Sequence, residues 1–466
     1  MSWDSHSKAH SHKGLTIIEK SDATPKENHK LALVLAGGAI SGGAFKVGGL
    51  KALNDYLINK KVTDFDIYVG LSAGAFLSAP LAGGISPEEM LASLDGKSKQ
   101  FSQLSPFSLY KPNFSEFIKR PMEYVYGHLT YIPGILYDLF SAYPNLKKQF
   151  WSNLKDLLRH PDYSTYEQLM TPLLRVMYST RTVLQIGEIL PSGFFDNEPL
   201  EKYLAGNMKR NRMANNFKVL KKMTGKSLYI SAMNLDTSER VIFGPDEKND
   251  VTISQAIQAS SAIPGFYKPA RIKGVDYIDG GVRKTANIDI AFDKGADLTI
   301  CYNPFRPFHN EVVIEYLREE NKYITKSKRI ADWGLGMVFN QVFRTLFHSR
   351  LMNAIQMYRE DPSFKKDLIL IEPKEDDNDF FVLNPLFFWT RAKAASQGFH
   401  SVSQSIDANF DRLSLLLKKY GLQITRDIVT RDQEKMERSR YDDHVVMDVL
   451  ENPPPRRHLK VVTANK

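Results

Sequence analysis

Phe65-Asp66-Ile67-Tyr68-Val69 runs directly into Gly70-Leu71-Ser72-Ala73-Gly74. The first five residues read as a short strand and the stretch after Gly74 as a helix. Small residues on both sides of Ser72 let the backbone turn sharply between the two without side-chain collision, which leaves the serine oxygen exposed at the turn. The N-terminus of the helix that follows adds a field favourable to negative charge near that oxygen.

Upstream, Leu31-Ala32-Leu33-Val34-Leu35-Ala36 is a continuous apolar run of the kind a buried parallel strand needs. It is followed at once by Gly37-Gly38-Ala39-Ile40-Ser41-Gly42-Gly43, then by a helical stretch from Ala44 to Ile58 with Val47, Leu50, Leu53, Tyr56 and Leu57 on one face. The order strand, helix, strand, helix predicts an α/β domain. Backbone N–H groups freed at a tight turn before a helix can converge on an anion. The loop lacks the Lys-Ser/Thr ending of a P-loop and the G-x-G-x-x-G spacing of a dinucleotide site. An oxyanion hole is the better reading, because adjacent parallel strands bring this turn and the serine turn to the same sheet edge.

Downstream, Tyr277-Ile278-Asp279-Gly280-Gly281 ends a short β-like segment on an aspartate whose neighbours can turn away. The glycine loop, the G-x-S-x-G serine and the D-G-G aspartate, in that chain order, resemble the patatin-like phospholipases. Pro191 to Asp196, and Ala259 to Phe266 ahead of the aspartate, resemble connecting segments of the same family. The resemblance covers about Leu31 to Tyr302. It implies a patatin-like three-layer α/β/α fold with a mainly parallel central sheet; the chain's own pattern adds a helical aromatic-rich insertion and a mainly helical C-terminal region, which the resemblance does not assign. It also implies a dyad in which Asp279 is the base for Ser72, an oxyanion hole from the N–H groups of Gly37, Gly38, Ala39 and Ala73, supporting turns at Gly42, Gly70, Gly74, Gly280 and Gly281, and neither metal nor cofactor. The family loop usually reads G-G-G-x-K/R-G. Here Ala39 stands at the third glycine and Ser41 at the basic position, so a cationic contribution from position 41 is lost.

A hydrolase of the Ser, Asp, His order would need a histidine after the acid, for which His309 and His348 are available. The resemblance favours the dyad without one.

The rest of the chain sets bounds. From Phe101 to about Leu190 the sequence is helical, aromatic and punctuated by proline, as an insertion would be. Strands are predicted at Ser227 to Met233, with a hairpin through Asp236 and Thr237, and at Leu298 to Tyr302. Leu335 to Tyr358 carries an apolar helical stripe. The domain expectation is a disordered tail over 1–30, a catalytic domain over 31–305 with its insertion at about 100–190, a helical region over 306–425 and a charged tail over 426–466. His6, His10 and His12 are read as part of a solvated tail without chemistry. No segment reaches the apolar run of about 20 residues that a bilayer span requires, and the N-terminus lacks the apolar stretch of a secretory signal. Cys301 is the single cysteine, so no oxidising compartment is needed. A cytoplasmic protein is expected, peripheral at a membrane, with signal-less secretion left open. The net charge of +9 draws the surface toward polyanions. No nucleic-acid signature accompanies it; the charge alone does not choose a partner, the surplus reads first as a solvated surface, and contact with anionic membrane is a secondary inference.

The function these residues predict is acyl-ester hydrolysis on phospholipid or a related acyl lipid through an acyl-enzyme. Acyl transfer or thioester cleavage on the same dyad is the enzymatic alternative. A catalytically weak lipid-binding or scaffold protein, with Ala39 and Ser41 as marks of decay, is the alternative from another class, and retention of both Ser72 and Asp279 argues against it.

Overall fold

The computed structural model describes residues 8–21, 29–94, 96–98, 100–180, 186–317, 322–325 and 328–452. Contacts divide the chain into two compact units, one of 1–111, 197–264 and 269–466, the other of 112–196 with 265–268.

The first unit is built on a ten-stranded sheet. Its strands are β1 (Lys8–His12), β2 (Leu15–Glu19), β3 (Leu31–Leu35), β4 (Ile67–Gly70), β5 (Ser227–Asn234), β6 (Arg240–Phe243), β7 (Ala270–Ile272), β8 (Val275–Asp279), β9 (Leu298–Tyr302) and β10 (Asp367–Ile371). They lie in the order β1-β2-β10-β9-β3-β4-β5-β8-β7, with β6 also on β5. The five from β10 to β5 are parallel and the flanking pairs antiparallel. Every residue of β3, β4, β9 and β10 is buried, which is why each reads as a continuous apolar run rather than an alternation. The helices used below are α1 (Ala39–Tyr56), α2 (Ala73–Ala82), α3 (Phe114–Arg159), α4 (Tyr163–Thr180), α5 (Ile253–Ser260), α6 (Leu335–Glu360), α7 (Arg391–Ala408), α8 (Asp427–Arg438) and α9 (Asp443–Glu451).

The chain goes from β3 outward to β4 and β5, then returns to lay β9 on the other side of β3. The carboxyl end of β3, between β9 and β4, therefore opens where strand order reverses, where α/β sheets form their crevices.

Three expectations are corrected. The stretch over 1–30 is not all a disordered tail: residues 15–19 form β2, bury Leu15, Ile17 and Ile18, and pair with β10, while His10 and His12 lie in β1. His6 lies outside the described residues. The sheet is not confined to the expected catalytic domain of 31–305 but continues into β10, whose Leu368-Ile369-Leu370-Ile371 is the same kind of apolar run as β3. In the charged tail, residues 427–451 form α8 and α9, which bury Val429, Met436, Val446 and Leu450 at helical spacing beneath the charges. Pro453 to Arg457 lies outside the described residues.

In the second unit, α3 runs unbroken for 46 residues through Pro121, Pro133 and Pro144, so these prolines do not divide it into pieces. Asn153 of α3 donates to the Gln168 carbonyl of α4 at 2.6 Å. Gly193–Asp196 and Gly265–Tyr267 pair as a short parallel ribbon beside them.

Candidate active site

Ser72 sits between β4 and α2 with φ 54° and ψ −127°, a conformation that costs a non-glycine residue about 1–3 kcal/mol and survives only where its surroundings impose it. A Cβ on Gly70 would lie 2.5 Å from the Ala75 Cα, so the turn closes only on glycine. The Ser72 N–H donates to Ser260 Oγ at 2.8 Å, and Ser260 Oγ donates to the Ser231 carbonyl at 2.7 Å. Ser260, buried at the end of α5, thus ties the serine turn to β5. It lies in the segment that reads in the sequence only as a family connection, and nothing there marks it apart from its neighbour Ser261.

The glycine loop is shorter than its sequence suggests, because α1 begins at Ala39 and only Ala36-Gly37-Gly38 connects it to β3. Ala39 has φ 51°, in the left-handed region where glycine is the unstrained residue, so the alanine at the family's third glycine is accommodated at a cost of about 1 kcal/mol or slightly more. The Ile40 and Ser41 N–H groups donate to the Pro385 carbonyl at 2.9 and 3.1 Å, and that of Gly42 to Gly38 at 2.9 Å. Among the described residues no acceptor takes the N–H of Gly37, Gly38, Ala39 or Ala73. A Cβ on Gly37 would lie 3.6 Å from Ser72 Cβ, and one on Gly74 would lie 2.0 Å from the Leu35 carbonyl oxygen. The two turns are therefore pressed together, with Gly37 against the serine.

Asp279 ends β8, in register with Ala232 of β5 next to Ser231. Its backbone N–H donates to Ala262 at 2.9 Å, and its Oδ1 accepts the Gly281 N–H at 2.8 Å. A Cβ on Gly280 would lie 2.7 Å from the Ser231 carbonyl oxygen, so here too a turn fits only as glycine. Burial pushes the Asp279 carboxyl up to about 6, against the influence of the Ser72 hydroxyl, the Gly281 N–H and the charge of Lys46, which all favour the carboxylate.

Lys46, which sequence reasoning missed, is buried in α1. Its Nζ donates to the Ala36 and Gly37 carbonyls, the latter at 2.9 Å. Burial lowers its pKa to about 7, opposed by Asp279 and Cys301. The histidines are elsewhere: His348 Nε2 is 3.3 Å from Glu372 Oε2, and His309 is exposed.

An aromatic row begins beside the loop. Phe305 lies 3.1 Å from the Gly37 Cβ position, and its ring is followed at 4.9, 6.1 and 6.2 Å by Phe347, Phe343 and Phe339 of α6. Arg344 anchors this half of α6 by donating to the Pro304 and Arg306 carbonyls at 3.0 and 3.1 Å and to Asn340 Oδ1 at 3.0 Å. The helical stripe is divided accordingly: Leu351 and Ile355 enter the core, while Phe339 and Phe343 stay half exposed.

The sequence model of the family described as patatin-like phospholipase matches residues 33–292. A "Probable lipid hydrolase 463L" of Invertebrate iridescent virus 6 is 26% identical over 196 residues, 42% of this chain and 54% of that protein. "Uncharacterized protein YjjU" of Escherichia coli (strain K12) is 36% identical over 74 residues, 16% of this chain and 20% of that protein. The chain thus spans about half the viral relative and a fifth of the bacterial one. Among solved structures, VipD from Legionella pneumophila is similar with a TM-score of 0.36 and 17% identity, over 86% of this chain and 70% of that one.

Proposed function

Since this chain belongs to the patatin-like phospholipase family, we propose that it is a lipid acyl hydrolase working through a Ser72–Asp279 dyad and an acyl-enzyme. The observation that carries the reading is the meeting of a strained, buried Ser72 with a buried Asp279 beside amides that have no acceptor among the described residues. Ser72 Oγ attacks the ester carbonyl carbon while Asp279 takes its proton. The negative charge that develops on the carbonyl oxygen is held by the Gly37, Gly38, Ala39 and Ala73 N–H groups. Collapse of the tetrahedral intermediate expels the alcohol, which leaves with the proton from Asp279. Water then attacks the acyl-serine, Asp279 takes its proton, and the fatty acid departs as Ser72 is restored. Burial makes the carboxylate a strong enough base for both steps.

The acyl chain lies along the row Phe305, Phe347, Phe343 and Phe339. Fluorophosphonate labelling of wild type and Ser72→Ala, followed by turnover of phospholipids and simple esters of rising acyl length, tests the proposal. Wild type is expected to be labelled, Ser72→Ala to be unlabelled, and the rate to climb with chain length. An unlabelled wild type, or labelling that survives Ser72→Ala, sinks the dyad, and a rate indifferent to chain length removes the aromatic row from it.

We also place this enzyme peripherally on anionic membrane, docked through α3. Among the described residues no helix is long and apolar enough to cross a bilayer. On α3, however, Met122, Val125, Leu129, Leu136, Phe140 and Trp151 recur at steps of three, four, seven and eleven, which keeps them on one face, and all are more than half exposed, Phe140 by 78%. Exposed Lys148 and Lys155, one heptad apart, run beside this face, as in helices that lie in the headgroup plane. Sedimentation with phosphatidylserine vesicles is expected for wild type and should fall about tenfold in Leu136→Asp/Phe140→Asp, since each loses the burial of a large apolar side chain. Equal sedimentation of the two proteins would exclude α3 as the docking element.

A further inference from the structure

The family's basic residue is absent at Ser41, yet the loop is not without a cation. Lys46 approaches it from the opposite side, inside the protein. Burying an ammonium is costly unless it is hydrogen-bonded, and Lys46 directs two of its three N–H groups to the Ala36 and Gly37 carbonyls. A trans peptide unit directs its C=O and the following N–H in opposite directions. Drawing the Ala36 and Gly37 oxygens toward Nζ therefore turns the Gly37 and Gly38 N–H groups the other way. Both are among the amides without an acceptor, and Gly37 faces Ser72.

We infer that Lys46 is a positioning residue for acyl transfer: from beneath the glycine loop it fixes the two peptide planes whose N–H groups hold the oxyanion, and it supplies the positive charge that position 41 lacks. The inference rests on the hydrolase reading above and extends it to a residue outside the serine, aspartate and loop pattern.

The charge has a pH signature. The groups facing Lys46 are Asp279 at the end of β8 and Cys301 in β9. Burial raises the Cys301 thiol, which stays neutral across the working range. Asp279 must lose its proton to act as base, so activity rises through about 6. Lys46 holds its ammonium below about 7 and sheds it above, so support for the oxyanion weakens as pH rises. The profile is a bell whose two limbs belong to the coupled pair.

The test compares wild type, Lys46→Met, Lys46→Arg and Ser72→Ala in melting temperature, fluorophosphonate labelling rate, and kcat and KM against pH. Methionine keeps the length and removes the charge and donors. Lys46→Met is expected to lower kcat about 100-fold, the scale of a lost oxyanion donor, with KM changed by less than about threefold and the alkaline limb gone. Lys46→Arg, which restores a cation, should recover about tenfold of that loss. A kcat for Lys46→Met within about threefold of wild type, or a slow variant with its alkaline limb intact, overturns the inference. If Lys46→Met does not fold, the wild-type profile decides: a decline above about pH 7 supports the role, and a plateau to about pH 9 overturns it. A wild type that resists labelling overturns the hydrolase reading with it, whereas a labelled wild type beside a fully active Lys46→Met removes Lys46 alone.

Discussion

Asp279→Asn is expected to lower kcat by about 10³ to 10⁴, the range for loss of a general base, while raising the melting temperature at neutral pH. Asparagine keeps the shape and still accepts the Gly281 N–H, but it cannot take the Ser72 proton. The gain in stability follows from the direction of the pKa shift. Burial raises the folded-state carboxyl from 3.8 to about 6, so the folded protein binds this proton more tightly than the unfolded chain does. The stabilisation is complete below the unfolded value and is lost as pH rises through the folded one. Above about pH 6 the wild type therefore carries an ionised, buried carboxylate at a cost on the order of 3 kcal/mol. Asparagine removes that cost. Melting temperatures of the two proteins should coincide near pH 4 and separate, with the variant higher, by about pH 7. Wild-type kcat/KM should rise about tenfold per pH unit on the acid side up to about 6, ahead of the decline that follows loss of the Lys46 proton above about 7. Turnover by Asp279→Asn near the wild-type rate would exclude Asp279 as base. A variant less stable than wild type at pH 7 would mean that the attraction between Asp279 and the Lys46 charge outweighs the burial cost.

The parts of the site that were legible in the sequence are those whose residue type is forced by local sterics. The turns at Gly70, Gly74 and Gly280 each lie against backbone that leaves no space for a Cβ, so glycine there is a requirement written into the chain. Ser72 and Asp279 stand out because those glycines frame them. Lys46 has no such frame. In the sequence it is one charge in a helix that also carries Lys51 and Asp55, and a charged helix face ordinarily meets water. Lys46 is buried because it faces Asp279 and the end of the sheet, and Lys51 and Asp55 because other helices, α7 among them, cover the far side of α1. The coverage depends on Gly48 and Gly398, where a Cβ would meet the Ala395 and Phe45 carbonyl oxygens at 1.8 Å. Contacts between positions 350 residues apart are invisible to local periodicity. Lys51, paired with Asp55 and 3.9 Å from Asp432 of α8, shows the same effect. The extra strands were missed for a related reason: β2 and β10 lie in stretches whose surroundings are charged and polar, and only their pairing with each other and with β9 makes them core.

The steric argument has its own consequence at Gly74. An alanine Cβ there would lie 2.0 Å from the Leu35 carbonyl oxygen and 2.6 Å from that of Ala36. Both are backbone atoms at the end of a buried strand, and the Leu35 carbonyl already accepts the Leu71 N–H at 3.1 Å, so neither can swing aside as a side-chain tip would. The N-terminal turn of α2 must retreat instead, by about 1 Å to restore ordinary contact, and it carries Ser72 away from the Gly37 and Gly38 amides. Overpacking of this kind costs about 1–3 kcal/mol, and a displacement of about 1 Å at the reacting atoms costs about 100-fold in rate. Gly74→Ala should therefore melt lower than wild type and react with fluorophosphonate about 100-fold more slowly, with both defects present in one soluble protein. Gly206→Ala is the matched control. Gly206 is in the helix Glu198–Arg210 with nothing within 4 Å of its Cβ position, so alanine there should hold stability level or raise it by up to about 1 kcal/mol and leave labelling unchanged. Were Gly74→Ala to match Gly206→Ala in both measurements, the serine turn and the glycine loop could not be in the close contact from which the oxyanion geometry is argued.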